Sequence, residues 1–165
     1  MVKCYIISTS SHEELAINLS NASNIPILNK QIDYFSNSEI RTSINTSVRG
    51  KKLFIISSPH NNTNKSINDY IIETYLLIRT CKRSDSGNIT LICPCYPYAR
   101  QDKKDNSRTC ISSKDIADLF TIAGIDRIVS FDLHSAQIQG FFNIPCDNFY
   151  CINMIHKYLV NNHNI

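Results

Sequence analysis

The densest collection of groups able to handle an anion lies in Tyr98-Ala99-Arg100-Gln101-Asp102-Lys103-Lys104-Asp105. Four basic residues, Arg100, Lys103, Lys104 and Arg108, fall within nine positions. Arginine presents a planar fork to phosphate oxygens, and lysine a point charge. Asp102 and Asp105 relieve self-repulsion in the cluster and can hold a metal or orient the cations. A duplex-binding surface carries a denser Lys/Arg stripe, so this mixture of signs better suits a compact polyanion such as a nucleotide. By charge alone, a plain solvated loop fits equally. The second group is Asp132-Leu133-His134. Residues i and i+2 of an extended segment share a side. A carboxylate and an imidazole there can bind Mg²⁺ directly or through water, or the imidazole can donate to a phosphate; a structural Asp–His pair is the alternative. The third is Phe35-Ser36-Asn37-Ser38-Glu39. An aromatic ring, an amide and a carboxylate in one turn can stack on a purine and read its edge, or simply reverse the chain.

These groups need elements to position them. Val2 to Ser8, Leu53 to Ser57, Ile89 to Cys93 and Ile128 to Phe131 read as short buried strands. Ile32 to Phe35 and Ile40 to Ile44 flank the Ser36–Glu39 turn as two more. Ser11 is expected to cap a first helix, with Glu14 completing a capping box and Leu15, Leu19 and Ala22 on its inner face. Asn24-Ile25-Pro26 ends it. A second helix is predicted from Ser66 to Lys82, with Ile67, Tyr70, Ile71, Thr74 and Ile78 at helical spacing. Ser112 or Ser113 should cap a third, containing Ile116, Ala117, Leu119, Phe120 and Ile122 and closed by Gly124. Ile152 to Val160 reads as a last helix running into Asn161–Asn164. The alternation of strand and helix predicts an α/β domain, doubly wound, with a largely parallel sheet and helices on both faces. Ligands of such sheets bind beyond the carboxyl ends of the strands. The segments Tyr96 to Cys110 and Asp132 to Gln139 both fall there.

The 165 residues suit one domain. Only four glycines are present, with no Gly-x-Gly-x-x-Gly and no Gly-x4-Gly-Lys-Ser/Thr, so standard dinucleotide and P-loop sites are excluded, and no nucleophile elbow occurs. The seven cysteines are odd in number and lack a Cys-x-x-Cys pair, which argues against a disulfide framework or zinc site. No leader-like or membrane-spanning apolar run stands out, so a cytoplasmic protein with no membrane partner is expected. The net charge of +3 gives no support for a nucleic-acid partner.

Taken in order, Tyr98-Ala99-Arg100-Gln101-Asp102, Asp132-Leu133-His134, Gln137-Ile138-Gln139-Gly140-Phe141-Phe142 and Ile144-Pro145 resemble the ribose-phosphate pyrophosphokinase (phosphoribosyl pyrophosphate synthetase) family. Phe35–Glu39 and Ser47-Val48-Arg49-Gly50 fit the same pattern, and the resemblance runs from about Lys3 to Tyr150. It implies a phosphoribosyltransferase-like fold and an enzyme of nucleotide biosynthesis. That enzyme transfers diphosphate from ATP to ribose 5-phosphate, with Mg²⁺, in a homo-oligomer of dimers or higher. It further implies that Phe35, Asn37 and Glu39 bind adenine, reaching a neighbouring subunit's nucleotide. Arg100 and Gln101 would contact ATP, with Asp102, Lys103, Lys104 and Asp105 continuing that loop. His134 would be the catalytic contact to ATP and metal, beside metal positions at Asp132 and Asp147. Asn143 stands where many members carry Asp, so that metal position lacks its carboxylate. Arg49 and Arg108 would belong to a regulatory anion-binding surface between subunits. On this reading residues 1–160 form the amino-terminal, ATP-binding domain and 161–165 begin a linker. The carboxy-terminal sugar-phosphate domain is absent, so this stretch alone is expected to be inactive. A non-catalytic regulatory paralogue is the alternative. The loop around Asn61 to Ser66 is longer than the family pattern and receives no role.

Overall fold

The computed structural model describes residues 3–163. Strand β1 (Cys4–Ser8) leads to helix α1 (Glu13–Ser23) and a hairpin of β2 (Lys30–Tyr34) and β3 (Ile40–Ile44). Then come β4 (Lys52–Ile56), α2 (Ile67–Arg83), β5 (Ile89–Ile92), α3 (Ser112–Ala123) and β6 (Arg127–Phe131). A 3₁₀ helix (Ala136–Phe141), β7 (Cys146–Phe149) and α4 (Ile152–His163) complete the chain. Val2, expected to open the first strand, and Asn164, in the expected linker, lie outside the described residues.

Five strands form one sheet in the order β1-β4-β5-β6-β7, with every neighbouring pair parallel. The β2–β3 hairpin forms a separate antiparallel pair. The order never reverses, so successive right-handed crossovers place α2, α3 and the 3₁₀ helix on one face. There Leu77, Ile78, Ala117, Phe120 and Ile138 pack on Ile55, Leu91 and Ile128 in the main core. Helix α1 covers the other face, where Ala16, Leu15 and Leu19 meet Ile6 and Ile56. The expected parallel sheet with helices on both faces is therefore present, with the two faces covered unequally.

Local differences from the sequence reading have physical causes. His12, not Ser11, caps α1, its Nδ1 accepting the Leu15 N–H at 3.2 Å. The Ser11 hydroxyl instead accepts the Ser58 N–H at 2.8 Å, joining the exits of β1 and β4. Ala22 points to solvent, because the buried stripe of α1 centres on Ala16. Ser66 does cap α2, through a reciprocal box with Asp69 that holds the Asp69 carboxyl below its ordinary range. Neither Ser112 nor Ser113 caps α3; Ile111 sits at that position without a side-chain bond. Gly124 ends α3 at φ 114°, a left-handed conformation glycine adopts without a Cβ penalty. Strand β7 appears where no strand was expected, and α4 continues through Asn161 and Asn162 to His163. Among the described residues no helix is long and apolar enough to cross a membrane.

Candidate functional site

At the carboxyl ends of β5 and β6 lies an open cavity of about 460 Å³. Cys95, Tyr98, Arg100, Asp132, Leu133 and His134 are among the residues that line it. Strand β5 ends just before Pro94, whose missing N–H stops the ladder. The chain then turns outward, with Tyr98 at a left-handed φ of 57° and its hydroxyl donating to Asn68 Oδ1 at 2.6 Å. Buried Tyr96 donates its hydroxyl to the Ser113 carbonyl at 2.7 Å, fastening this loop to the start of α3. Burial pushes the Tyr96 phenol well above its ordinary range, so it remains a donor.

Of the loop residues expected to meet a phosphate, only Arg100 lines the cavity. Gln101 is spent within the protein. Its Oε1 accepts the Ser112 hydroxyl at 2.5 Å and its Nε2 donates to the Cys110 carbonyl at 3.4 Å. Asp102 is buried and accepts the Ser135 hydroxyl at 2.5 Å. That bond, foremost, holds its carboxyl below the ordinary range. Asp102 thereby ties the β5–α3 loop to the segment after β6, and Gln137 Nε2 reinforces the tie at the Asp102 carbonyl, 3.4 Å away. Lys103, Lys104, Asp105 and Arg108 are exposed on the outer part of the loop.

Asp132 and His134 both reach the cavity. Asp132 has φ 44°, and its N–H donates to the Phe149 carbonyl at 2.9 Å. The Leu133 N–H donates to Asn148 Oδ1 at 3.1 Å, so β7 braces the turn that presents His134. The Asp132 carboxylate accepts the Cys151 N–H at 3.4 and 3.3 Å, at the start of α4. Its hydrogen bond with the Cys151 thiol raises that thiol above its ordinary range. Asp147 turns away from this turn to pair with Arg127, at 2.5 Å. Asn143 is exposed in a bend. Among the described residues no group of three or more His, Cys, Asp or Glu is arranged to hold a metal ion.

The remaining expected residues lie elsewhere. Phe35, Asn37 and Glu39 form the exposed tip of the hairpin, which does not line this cavity. The Phe35 N–H donates to the Glu39 carbonyl at 2.9 Å, and the Glu39 N–H to Asn37 Oδ1 at 3.2 Å, which defines the turn. Arg49 precedes β4 and pairs with Asp85 at 3.3 Å, whereas Arg108 lies in the loop leaving β5. Within one chain these two arginines are at opposite ends of the sheet. Ser135, Asn148 and Tyr96 were missed as contributors, because their roles depend on partners 15 to 33 residues away.

A parallel sheet with an arginine- and imidazole-bearing crevice at its carboxyl edge, and no glycine-rich phosphate loop, defines an α/β domain outside the P-loop and dinucleotide-binding classes. Residues 4–124 match the profile of the N-terminal domain of ribose phosphate pyrophosphokinase. The chain is 40% identical over 154 residues to ribose-phosphate pyrophosphokinase A of Dictyostelium discoideum, covering 93% of this chain and 48% of that protein. It superposes on the crystal structure of phosphoribosylpyrophosphate synthetase from Mycobacterium smegmatis with a TM-score of 0.90 and 36% identity, covering 98% of this chain and 53% of that one. The chain belongs to the ribose-phosphate pyrophosphokinase family, and it spans about half the length of the relatives it matches.

Proposed function

We propose that this chain is the ATP-binding half of an enzyme that transfers diphosphate from ATP to the C1 hydroxyl of ribose 5-phosphate. The observation that carries this reading is the convergence of Arg100 and His134 on one open cavity at the carboxyl edge of the sheet. The hydroxyl oxygen attacks the β-phosphorus, the bond from that phosphorus to the α,β-bridging oxygen breaks, and AMP leaves as the hydroxyl proton passes to solvent. Positioning and charge neutralisation dominate such transfers, so no protein nucleophile is required. Arg100 and His134 act as donors to the phosphate chain. Mg²⁺ enters as the counter-ion of ATP and belongs to the substrate. Because the hairpin tip does not line its own cavity, adenine recognition by Phe35, Asn37 and Glu39 requires a neighbouring subunit, which favours a homo-oligomer.

The test has two parts. Titration of the chain with Mg-ATP is expected to show saturable binding that weakens in Arg100→Ala. The chain alone, given ribose 5-phosphate and Mg-ATP, is expected to release no AMP, since it spans about half of its relatives. Absence of ATP binding at millimolar concentration, or binding indifferent to Arg100→Ala, would refute the reading. Turnover in the ordinary enzyme range of roughly 1 to 10³ per second would refute the half-enzyme part.

A further inference from the structure

The loop from Pro59 to Lys65 is left without a role by the nucleotide reading, yet it ends in a well-anchored cation. Lys65 Nζ donates to Glu73 Oε2 at 3.0 Å and to Ser10 Oγ at 2.6 Å. Glu73 is completely buried within α2. Its carboxylate also accepts the Ser10 N–H at 2.5 Å and the Ser10 hydroxyl at 2.8 Å. A buried carboxylate is expensive unless paired and hydrogen-bonded, so this meeting point resists distortion. The loop delivers Lys65 to it in a set shape. Asn62 Oδ1 accepts the N–H groups of Asn64 and Lys65 at 2.9 and 2.8 Å, and Asn62 Nδ2 donates to the Tyr70 hydroxyl at 2.6 Å.

The same ammonium faces the hairpin, lying 4.9 Å from the ring centroid of Tyr34, the last residue of β2. Tyr34 immediately precedes Phe35 in the turn. An open cavity of about 450 Å³, lined by Tyr34, Ser38, Asn64, Lys65 and Asp69, lies between that turn and α2. Close packing therefore does not hold the tip. Farther along the hairpin, β3 is tied to α2 by the 2.7 Å Thr42–Thr80 hydroxyl contact. Near the tip, Lys65 on Tyr34 reaches back to the body of the domain, and Ser38, Glu39 and Ile40 share a second open cleft with Ile72 and Leu76 of α2.

We propose that Lys65 is a positioning residue: anchored on Glu73 and Ser10, it sets the pose of the β2–β3 turn and, through Phe35, Asn37 and Glu39, the preference for a nucleobase. The second half of this inference rests on the reading of the turn as an adenine contact; the tie itself does not.

The experiment compares wild type with Lys65→Met and with Lys65→Met/Glu73→Gln. The double variant leaves no unpaired buried charge should the single one fail to fold. Amide exchange of Phe35 and Ser38, both donors within the turn, is measured against Cys93, whose N–H donates to Val129 in the sheet. In the folded variants the two turn amides are expected to exchange at least about tenfold faster, a change of roughly 1.4 kcal/mol in local opening, with Cys93 unmoved. Wild-type exchange of the turn amides in the double variant overturns the proposal. Affinities for ATP and for inorganic tripolyphosphate are then compared, and the ATP preference is expected to fall severalfold. Faster exchange with an unchanged preference upholds the tie and overturns the assignment of adenine to the turn.

Discussion

Replacing His134 with alanine is the perturbation that bears most directly on the site. The side chain is exposed at the cavity, and neither it nor Arg100 makes a hydrogen bond or ion pair with the described residues. Removing it should therefore leave fold stability within about 0.5 kcal/mol of wild type. A charge-assisted hydrogen bond to a phosphate contributes on the order of 1.5 to 3 kcal/mol. At an exposed edge the lower end applies, so Mg-ATP affinity should fall by about 1.5 kcal/mol, roughly tenfold. Arg100→Ala should cost a similar amount. The double variant should lose less than about a hundredfold, since both groups are read as meeting one phosphate chain and their effects need not add. Titration calorimetry with Mg-ATP, alongside urea unfolding of each variant, measures both sides of the claim. A His134→Ala protein with wild-type affinity and lowered stability would assign the imidazole to structure and remove it from the site.

Three further outcomes are expected. Ser135→Ala should raise the Asp102 carboxyl toward its ordinary value, which a side-chain carbon NMR titration reads directly. Because the folded value is depressed, the tie contributes fully above the ordinary carboxylate pKa of about 3.9 and is lost as pH falls through the folded value. An Asp102 titration unmoved by Ser135→Ala would mean another group holds it down. Ser66→Ala should destabilise the domain by about 1 kcal/mol in urea unfolding through loss of the α2 capping box, and an unchanged midpoint would show the box to be idle. Alkylation of the native protein should label exposed Cys95 and Cys110 first and spare Cys81, whose buried thiol is pushed up to about 12; early labelling of Cys81 would contradict its burial.

Residue type and order alone determined much of this protein. Short β-branched runs such as Leu53 to Ile56 and Ile89 to Ile92 read as buried strands, and the helical spacing between them points to parallel crossovers. The family could be read because Tyr98–Asp102 and Asp132–His134 combine unusual residue types at a distinctive separation. Strand β7 escaped notice because Cys146-Asp147-Asn148-Phe149 has two poor strand formers at its centre, and pairing with β6 overrides that local preference. Tertiary structure alone decided which polar groups face the cavity. Arg100 and Asp102 stand two positions apart in one motif, yet the first lines the cavity and the second is buried on Ser135. Asp147 is drawn to Arg127, and Lys65, in a loop without a motif, becomes the partner of the buried Glu73. The chemistry a side chain is capable of is local, so it is written in the sequence. The partner that uses that chemistry is chosen through space, by strands and helices that bring together residues tens of positions apart.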